Sequence, residues 1–402
     1  MNRFTSSISF RLPKLWMPLA TALTATVLAV GCGGGGGVDT GGTGTSTAFS
    51  SGRISGFGSI IVNGIRFDDS TARVYDDDGV AHGRGDLKLG MVTDVNAGAV
   101  TVDVASGLSN SKATEIRYGS EIKGPVQALN VAAGTLTVIG QSVKVDAATV
   151  FEDLPNGFAS VQAGNLLEIY GFLDRSTSTY TATRIERKLA LPSYKLVGPI
   201  SALDTGAKTF AIGSATISYS NISALPALSN GLDVRATLQT TPKGNVWTAT
   251  ALSGNAPVVA DGTQTELEGF ITDFVSASNF KVAGVAVNAS GSVLFKNGNA
   301  AQLASGVRIE VEGVTRAGVL AASRIDVKTK GGGDQEFQLF GAVESVNAAT
   351  QSFVLRGITV SYSTSTRIDN GSAANLVVGA SVEVRGVLSG NGNQLVAARI
   401  KF

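Results

Sequence analysis

Three short landmarks recur in the same order five times along this 402-residue chain, and this repetition constrains the fold more than any other feature. The first landmark is a glycine near the start of a β-rich run: Gly56, Gly124, Gly198, Gly269 and Gly341. The second is a glycine that opens a run of alternating apolar and charged residues: Gly90, Gly164, Gly231, Gly306 and Gly379. The third is an Ala-x-x-Ile or Ala-x-x-Leu sequence that ends at Ile116, Ile185, Leu252, Ile325 and Ile400. A period of about 70 residues predicts a tandem array of small domains of one kind.

The landmarks divide most of the chain into five predicted β repeats. Repeat 1 covers residues 51–119, repeat 2 covers 120–190, repeat 3 covers 191–260, repeat 4 covers 261–332 and repeat 5 covers 333–402. A predicted signal peptide at residues 1–31 and a predicted flexible leash at residues 32–50 precede them. The leash is rich in Gly, Thr and Ser, a composition that cannot bury enough apolar surface to fold.

The residues of each repeat favour short strands joined by tight turns. The chain contains 50 glycines, and its apolar residues recur with the period of two that is typical of strands. In repeat 5 we predict strands at residues 339–346, 352–355, 358–361, 381–388 and 394–400, with Asn391-Gly392 as a hairpin turn. Short strands that must hide their edges predict an all-β tandem array of small OB-like Greek-key barrels. Small β-sandwiches are the alternative.

An acidic residue follows the second landmark in four of the five repeats. These residues are Asp94, Glu168, Glu310 and Glu383, and an arginine, Arg235, takes the same position in repeat 3. A matched series of carboxylates could be catalytic or could bind a metal. However, strand alternation turns each of these side chains away from its two apolar neighbours, which is also what a structural surface position requires.

Hairpin geometry favours a structural role for these acids. Hairpins centred on Ser176, Ala317 and Asn391 would place Glu168 opposite Arg184, Glu310 opposite Arg324 and Glu383 opposite Arg399. The same construction places Arg235 opposite Ala251, but it leaves Asp94 facing Glu115. Opposite charges on neighbouring strands contribute roughly 0.2 to 1 kcal/mol per pair. We therefore predict three structural cross-strand pairs and no catalytic residue.

The first 31 residues have the order of a secretory signal peptide. Three basic residues come first, Arg3, Arg11 and Lys14. An apolar run at residues 15–30 follows, and Cys32 comes directly after Gly31. This arrangement resembles the lipobox of bacterial lipoproteins, which implies cleavage before Cys32 and acylation of its thiol and its new amino group. A transmembrane anchor is the alternative, but it needs about 20 apolar residues, and the run here is shorter.

The lipobox resemblance also implies a location. Two or more acyl chains attach a protein stably to a membrane. Gly33 follows Cys32 where an aspartate would imply retention at the inner membrane. We therefore expect an exported protein that is anchored in the outer membrane through lipid on Cys32 and faces either the periplasm or the cell surface.

Charge and single residues exclude several classes of site. The formal net charge is +1, and loss of the three basic residues of the signal peptide leaves −2, so no nucleic-acid partner is expected. His82 is the only histidine and Cys32 the only cysteine, which excludes histidine-based triads and multi-histidine metal sites within one chain. The run Asp76-Asp77-Asp78-Gly79 is interpreted as a polar hairpin turn, with weak calcium binding as the alternative. We predict no metal and no cofactor.

The start of repeat 1 resembles a known family. The residues concerned are 57–67, Phe-Gly-Ser-Ile-Ile-Val-Asn-Gly-Ile-Arg-Phe, followed by 87–92, Leu-Lys-Leu-Gly-Met-Val. They resemble the opening of the bacterial domain-of-unknown-function family numbered 5666, and repeat 1 carries the resemblance most clearly. The resemblance implies tandem OB-like domains in a lipoprotein. It implies no activity and supplies no catalytic residues.

Three functional hypotheses follow from the sequence. The first is a membrane-anchored cell-envelope lipoprotein without enzymatic activity, whose repeats act as a multivalent binding or scaffold protein for an envelope polymer or protein. The second is an enzyme that acts on envelope glycans through its strand carboxylates, which would need two acids at a defined separation. The third is single-stranded nucleic-acid binding by OB-like barrels, for which the chain lacks clustered aromatic residues and positive charge.

Overall fold

The strands of the protein form five similar sets along the chain. The computed structural model describes residues 47–103, 109–328, 335–390 and 392–402. The predicted signal peptide, Cys32 and residues 32–46 of the predicted leash lie outside the described residues. Apart from strands, the described chain forms only single-turn 3-10 helices, at Arg84–Asp86, Gly157–Ser160, Ala300–Gln302 and Ala373–Asn375. Of the described helices, none has the length and apolar character needed to cross a membrane.

The strand bounds are as follows. Repeat 1 contains β1 (Thr47–Phe57), β2 (Ile60–Val62), β3 (Ile65–Asp68), β4 (Arg73–Asp76), β5 (Ala81–His82), β6 (Val92–Gly98), β7 (Thr101–Val102) and β8 (Ser109–Tyr118). Repeat 2 contains β9 (Ile122–Asn130), β10 (Thr135–Val138), β11 (Gln141–Lys144), β12 (Val150–Glu152), β13 (Leu166–Asp174) and β14 (Thr179–Lys188). Repeat 3 contains β15 (Tyr194–Pro199), β16 (Ser201–Asp204), β17 (Thr209–Ile212), β18 (Ala215–Ser218), β19 (Asp233–Leu238) and β20 (Val246–Gly254). Repeat 4 contains β21 (Gln264–Ser276), β22 (Asn279–Val282), β23 (Val285–Asn288), β24 (Leu294–Lys296), β25 (Arg308–Arg316) and β26 (Val319–Val327). Repeat 5 contains β27 (Glu336–Asn347), β28 (Ser352–Leu355), β29 (Ile358–Ser361), β30 (Arg367–Asp369), β31 (Ser381–Leu388) and β32 (Leu395–Lys401).

Each repeat closes into a small barrel, and repeat 4 shows how. Strand β21 pairs with β22, β22 pairs with β23, and β23 runs parallel to β26. Strand β25 pairs with both β26 and β21, which completes the ring. The predicted all-β fold of small barrels in tandem is therefore confirmed. Closure leaves no free edge within the five-stranded ring.

Strand alternation fills the barrel with apolar side chains. In β25, Ile309 and Val311 are fully buried inside the barrel, whereas Glu310 and Glu312, which alternate with them, lie on its outer face. Ala317 and Gly318 form the turn into β26 with positive φ angles of 50° and 74°. This is the two-residue turn geometry that suits the right-handed twist of a hairpin.

A β-bulge interrupts the last hairpin of every repeat. In repeats 2, 4 and 5 the final strand carries one extra residue, and a glycine lies opposite the bulge at Gly171, Gly313 and Gly386. A Cβ atom at these glycines would lie 2.3, 2.1 and 2.1 Å from the carbonyl oxygens of Thr181, Ala321 and Val396. Repeats 1 and 3 have Ala97 and Leu238 at the corresponding register shift.

The bulge shows that the three predicted cross-strand pairs are wrong. Glu168 lies opposite Glu186, Glu310 opposite Asp326 and Glu383 opposite Lys401. The predicted partners Arg184, Arg324 and Arg399 lie opposite Tyr170, Glu312 and Arg385. Two effects combine to shift the register by two residues. The hairpin turns contain an even number of residues rather than an odd number, and the bulge adds one more residue to the last strand.

The same shift changes the two exceptional repeats. Asp94 lies opposite Arg117 rather than Glu115, so repeat 1 has an opposite-charge pair that the predicted register had excluded. Arg235 lies opposite Ser253 rather than Ala251.

Strand β1 joins barrels that are far apart in sequence. It pairs with β6 of its own repeat, runs parallel to β21 of repeat 4, and runs parallel to β27 of repeat 5. Ala48 belongs to a core shared mainly by repeats 1 and 5, whereas Phe49 points into the core of repeat 4. Strands β9 and β15 pair antiparallel between repeats 2 and 3, which share another core. The described residues therefore belong to one compact unit, in which the repeats share cores and strand pairings.

The position of β1 also corrects the predicted leash. We predicted flexible chain up to residue 50, but residues 47–50 belong to β1, and residues 48–50 are buried. Residues 48–50 pair with β6 on one side and with β21 on the other, so backbone hydrogen bonds order the end of a segment whose composition predicts disorder.

Candidate functional site

Three clefts lie between the barrels of the described chain. Cleft A has a volume of about 570 Å³ and lies between repeats 1, 4 and 5, with β1, β21, β25, β26 and β27 among its walls. Cleft B, of about 410 Å³, lies where repeats 1 to 4 meet, with Glu121 in its wall. Cleft C, of about 370 Å³, lies between repeats 1 and 2, with His82 and Glu168 in its wall. Each of these three clefts is built from residues of more than one repeat.

Strand alternation places four acids on the wall of cleft A. Glu266 and Glu268 of β21 flank the buried Leu267. Glu310 and Glu312 of β25 lie on the same outer face, because β21 and β25 pair with Glu266 opposite Glu312 and Glu268 opposite Glu310. The outside of barrel 4 is therefore acidic where repeats 1 and 5 cover it.

Basic side chains compensate most of this acidity. Glu268 accepts a hydrogen bond from Arg308 at 2.6 Å, Glu310 is 2.9 Å from the Lys328 ammonium, and Glu312 is 3.6 Å from Arg324. Burial alone would raise the pKa of Glu268, but Arg308 and other cations outweigh it and hold that pKa below its usual value. Each of these three acids is therefore paired with a basic side chain.

Glu266 is the exception in cleft A. Its exposed fraction is only 6%, and no described donor forms a hydrogen bond with its Oε2 atom. Burial and the neighbouring Glu310 carboxylate raise the pKa of Glu266 well above its usual value. The Oδ1 atom of Asn63, which also lines cleft A, is buried without a described donor. Cleft A therefore contains two buried acceptor groups that nothing in the described chain satisfies.

Cleft C repeats part of the arrangement around Glu310. Glu168 is 3.1 Å from both Lys123 and Lys188, and these cations outweigh burial and hold its pKa at about 2. In both repeats an acid lies directly opposite the landmark acid: Glu186 opposite Glu168, and Asp326 opposite Glu310. Lys188 and Lys328 each follow that opposing acid by two residues, so they occupy equivalent positions in the two repeats. Because the two-residue shift is hidden in the turn and the bulge, sequence spacing could not identify these lysines as partners.

The landmark acids do not meet at one site. Glu168 lines cleft C and Glu310 lines cleft A. Glu383 accepts hydrogen bonds from Gln338 at 2.7 Å and from Arg385 at 2.9 Å, within repeat 5. Each acid therefore has its own polar partners in its own barrel.

The polar turn of repeat 1 is ordered by its own aspartates and by repeat 3. Asp76 Oδ1 accepts hydrogen bonds from the backbone N–H groups of Asp78 and Val80, as a polar hairpin turn requires. Asp77 accepts a hydrogen bond from the buried Lys195 ammonium of repeat 3 at 2.7 Å. Among the described residues, no three His, Cys, Asp or Glu side chains are grouped so that they could hold a metal ion.

The His82 side chain is half-buried between acidic and aromatic neighbours. Its Nε2 atom is 3.2 Å from Asp76 Oδ2 and its Nδ1 atom is 3.6 Å from Asp86 Oδ2. Its ring packs edge-on against Tyr118 with 5.3 Å between ring centres. These contacts place His82 in β5 at the wall of cleft C, half-buried rather than free in solvent.

Glu121 makes the junction at cleft B sensitive to pH. Burial raises its pKa to about 8, with Lys195 opposing this shift and Asp77 and Asp233 adding to it. Asp94 of repeat 1 also faces this carboxyl group. Because the pKa is higher in the folded protein than in the unfolded chain, folding is favoured while Glu121 stays protonated. This contribution is complete below about pH 4.5 and is lost as the pH rises through 8.

We therefore expect Glu121→Gln to reduce the pH dependence of stability. Glutamine keeps the neutral form at every pH, so between pH 6 and pH 9 the Tm of the unaltered protein should fall by roughly 5 °C more than that of the variant. Scanning calorimetry at several pH values measures this difference. Glu344→Gln, at an exposed position of repeat 5, is the matched control and should keep the full dependence. Parallel curves for all three proteins would contradict the prediction.

Comparison with known protein families finds a match in three of the five repeats. The family model described as Domain of unknown function (DUF5666) matches residues 123–186, 268–326 and 340–401. These matches fall in repeats 2, 4 and 5, not in repeat 1, where the resemblance was expected to be clearest. The matched repeats are also the three that have a glycine opposite the bulge.

Other comparisons add little. No curated protein matches the chain. One solved structure, titled "drosophila Unr CSD456", aligns with 12% sequence identity over 52% of this chain and 97% of that chain, with a TM-score of 0.14.

Proposed function

We propose that this chain, three repeats of which match the DUF5666 family model, is a membrane-anchored cell-envelope lipoprotein that binds or scaffolds an envelope polymer or protein and has no enzymatic activity. The observation that carries the binding role is cleft A, in which three repeats assemble one polar cavity with unsatisfied buried acceptors. Several clefts on one body also supply the multivalency expected of a scaffold. Nucleic acid is not among the proposed partners.

The proposed anchor is lipid on Cys32. Its support is the order of basic residues, apolar run and Gly31-Cys32 at the start of the chain. Between Cys32 and β1 at Thr47 there are 14 residues of mainly Gly, Thr and Ser. By flexible-chain scaling such a segment spans roughly 20 Å, enough to lift the barrels clear of the lipid headgroups. The proposed location is the outer membrane, with the barrels facing the periplasm or the cell surface.

The absence of enzymatic activity is proposed from the state of the acids. An acid pair that hydrolyses glycans needs two carboxyl groups at a defined separation on either side of one substrate-binding site. Glu168, Glu310 and Glu383, the candidates for that role, are each held by basic or amide partners in separate barrels. In the described chain these three acids share no site, so we do not propose the glycan-acting alternative.

Replacing Cys32 by alanine is expected to abolish membrane attachment. Without the Cys32 thiol the chain cannot be acylated. The variant should therefore incorporate no labelled fatty acid and should no longer be found in the outer-membrane fraction. Gly33→Asp is the matched control, because it keeps the thiol and should redirect a labelled protein to the inner membrane. Labelling of the Cys32→Ala protein, or its full retention in the outer membrane, would contradict the anchor.

The binding role is tested on the intact protein solubilised from native membranes. Gln264→Trp, at an exposed position on the wall of cleft A, should narrow the cleft and reduce recovery of an envelope polymer or protein by at least tenfold. Gln239→Trp, at an exposed position of repeat 3 outside the three clefts, should leave recovery unchanged. Equal recovery with both variants would contradict a role for cleft A.

A further inference from the structure

We propose that cleft A binds its ligand through a protonated amine, which the carboxyl groups of Glu266 and Glu310 hold between them. This inference rests on the proposed binding function and specifies the chemical class of the ligand. An ammonium group on a sugar-sized or short-chain molecule is the class that fits the charges and volume of the cleft.

The position of Glu266 is the first argument. It lies on β21, where Ser50 of β1 is its neighbour on one side and Glu312 of β25 is its neighbour on the other. It lines the cleft, and its exposed fraction is only 6%. A buried carboxyl group whose Oε2 atom has no donor is costly, because the atom has lost water without gaining a hydrogen bond.

The count of charges on the wall is the second argument. Glu268 is paired with Arg308, Glu310 with Lys328 and Glu312 with Arg324. Asp326 on the same wall is 3.0 Å from the Lys296 ammonium. Among the described residues, no basic side chain forms an ion pair with Glu266. Of the five acids that β21, β25 and β26 place on this wall, Glu266 is therefore the one without a cation in the described chain.

Hydrogen-bond geometry identifies the missing cation as an ammonium group. Asn63 donates through Nδ2 to Ser50 Oγ at 3.1 Å and to the Ser51 carbonyl at 3.0 Å, which leaves its Oδ1 atom without a described donor. An ammonium group has three donors and no acceptor, so it suits the two unsatisfied acceptor atoms on this wall. A divalent metal ion would need about six oxygen ligands, and the described residues contain no metal-binding group of three acids.

The size of the cleft limits the rest of the ligand. A volume of about 570 Å³ lies within the range of roughly 300 to 1,000 Å³ that is typical of small-molecule sites. The wall also has cationic and amide groups, such as Lys296 and Gln338, which can bind hydroxyl groups. An amino sugar or a short diamine therefore fits better than a single inorganic ion.

Binding should exchange a proton for the ammonium group. Burial and the Glu310 carboxylate raise the pKa of Glu266 well above its usual value, so the empty cleft favours a proton on the Glu266 carboxyl group. When the ammonium group enters, the Glu266 carboxyl group loses that proton to solvent and becomes a carboxylate that accepts hydrogen bonds from the ligand. No covalent bond forms, and one proton is released for each amine bound.

Calorimetric titration of the full lipidated protein in detergent tests the proposal. The probes are glucosamine and 1,4-diaminobutane at pH 7, and the neutral controls are glucose and 1,4-butanediol. We expect both amines to bind at least tenfold more tightly than their neutral counterparts. Titration in buffers of different ionisation enthalpy should show release of close to one proton. Equal binding of amines and neutral controls, or binding without proton release, would overturn the proposal.

Glu266→Gln separates the site from a general charge effect. Glutamine has the shape of the protonated carboxyl group and brings its own NH₂ donors toward Glu310, so the variant should fold. Amine affinity should fall at least tenfold. Glu344→Gln, which removes the same charge from an exposed position, should bind amines as the unaltered protein does. Unchanged affinity in Glu266→Gln would overturn the proposal.

If Gln264→Trp blocks recovery of an envelope partner while no amine binds, this inference fails and the proposed binding function stands.

Discussion

Replacing Gly386 by alanine is expected to lower the free energy of unfolding by about 3 kcal/mol, as overpacking against fixed backbone does. The added Cβ atom would lie 2.1 Å from the Val396 carbonyl oxygen and 3.0 Å from the Ala397 Cα atom. Both atoms belong to the backbone of β32, so no side chain can move aside. To relieve the contact, the bulge would have to straighten, and this would shift the register of the last hairpin. Urea unfolding followed by circular dichroism measures the loss.

A second glycine of the same repeat provides the control for this prediction. Gly390 has open space where a Cβ atom would be placed, and its φ angle is not in the left-handed region. Gly390→Ala should therefore leave stability unchanged or raise it slightly, because alanine reduces the entropy of the unfolded chain. If both variants lost the same stability, the cause would be chain entropy rather than the bulge, and the prediction would be wrong.

Replacing Phe337 by alanine is expected to cost about 3 to 5 kcal/mol and to loosen two distant repeats at once. Phe337 of β27 is fully buried in the core that repeats 1 and 5 share, and the Arg53 guanidinium of repeat 1 lies 5.0 Å from the centre of its ring. A cavity at this position would remove contacts from both barrels. Hydrogen exchange should therefore show faster exchange in β6 and β8 as well as in β31 and β32.

Phe280 is the matched control, because it is equally buried but belongs to the core of repeat 4. Phe280→Ala should have a similar cost and should speed exchange chiefly in β22, β23 and β26. Loss of protection confined to repeat 5 in Phe337→Ala would show that repeats 1 and 5 unfold independently, contrary to their shared core.

The barrels could be predicted from the sequence because their determinants are local. In repeat 5, the predicted strands at residues 352–355, 358–361 and 381–388 coincide with β28, β29 and β31. Period-two alternation and glycine turns act within a few residues, so one sequence is enough to identify them. The short β30 was missed, because three residues are too few to show a period.

The candidate site could not be predicted, because its determinants are distant. Glu266 meets Ser50 only after β1 has inserted beside β21, more than 200 residues further along the chain. The partners of Glu168 and Glu310 were wrong by two residues, because neither the turn length nor the bulge appears in the spacing of charges. A local signal did exist in Thr265-Glu266-Leu267-Glu268. This alternation predicts an acidic outer face on β21, but not the barrels that cover it.

The central position of β1 determines how the body would respond to a mechanical load. The proposed tether enters at Thr47, directly into a strand that is hydrogen-bonded on one side to β6 and on the other to β21. Tension along the tether would act parallel to this strand, so the hydrogen bonds on both sides would share the force in shear instead of opening one after another. Drag on a bound polymer would therefore reach the membrane through β1 and the two strands paired with it, rather than through a strand at the edge of a sheet.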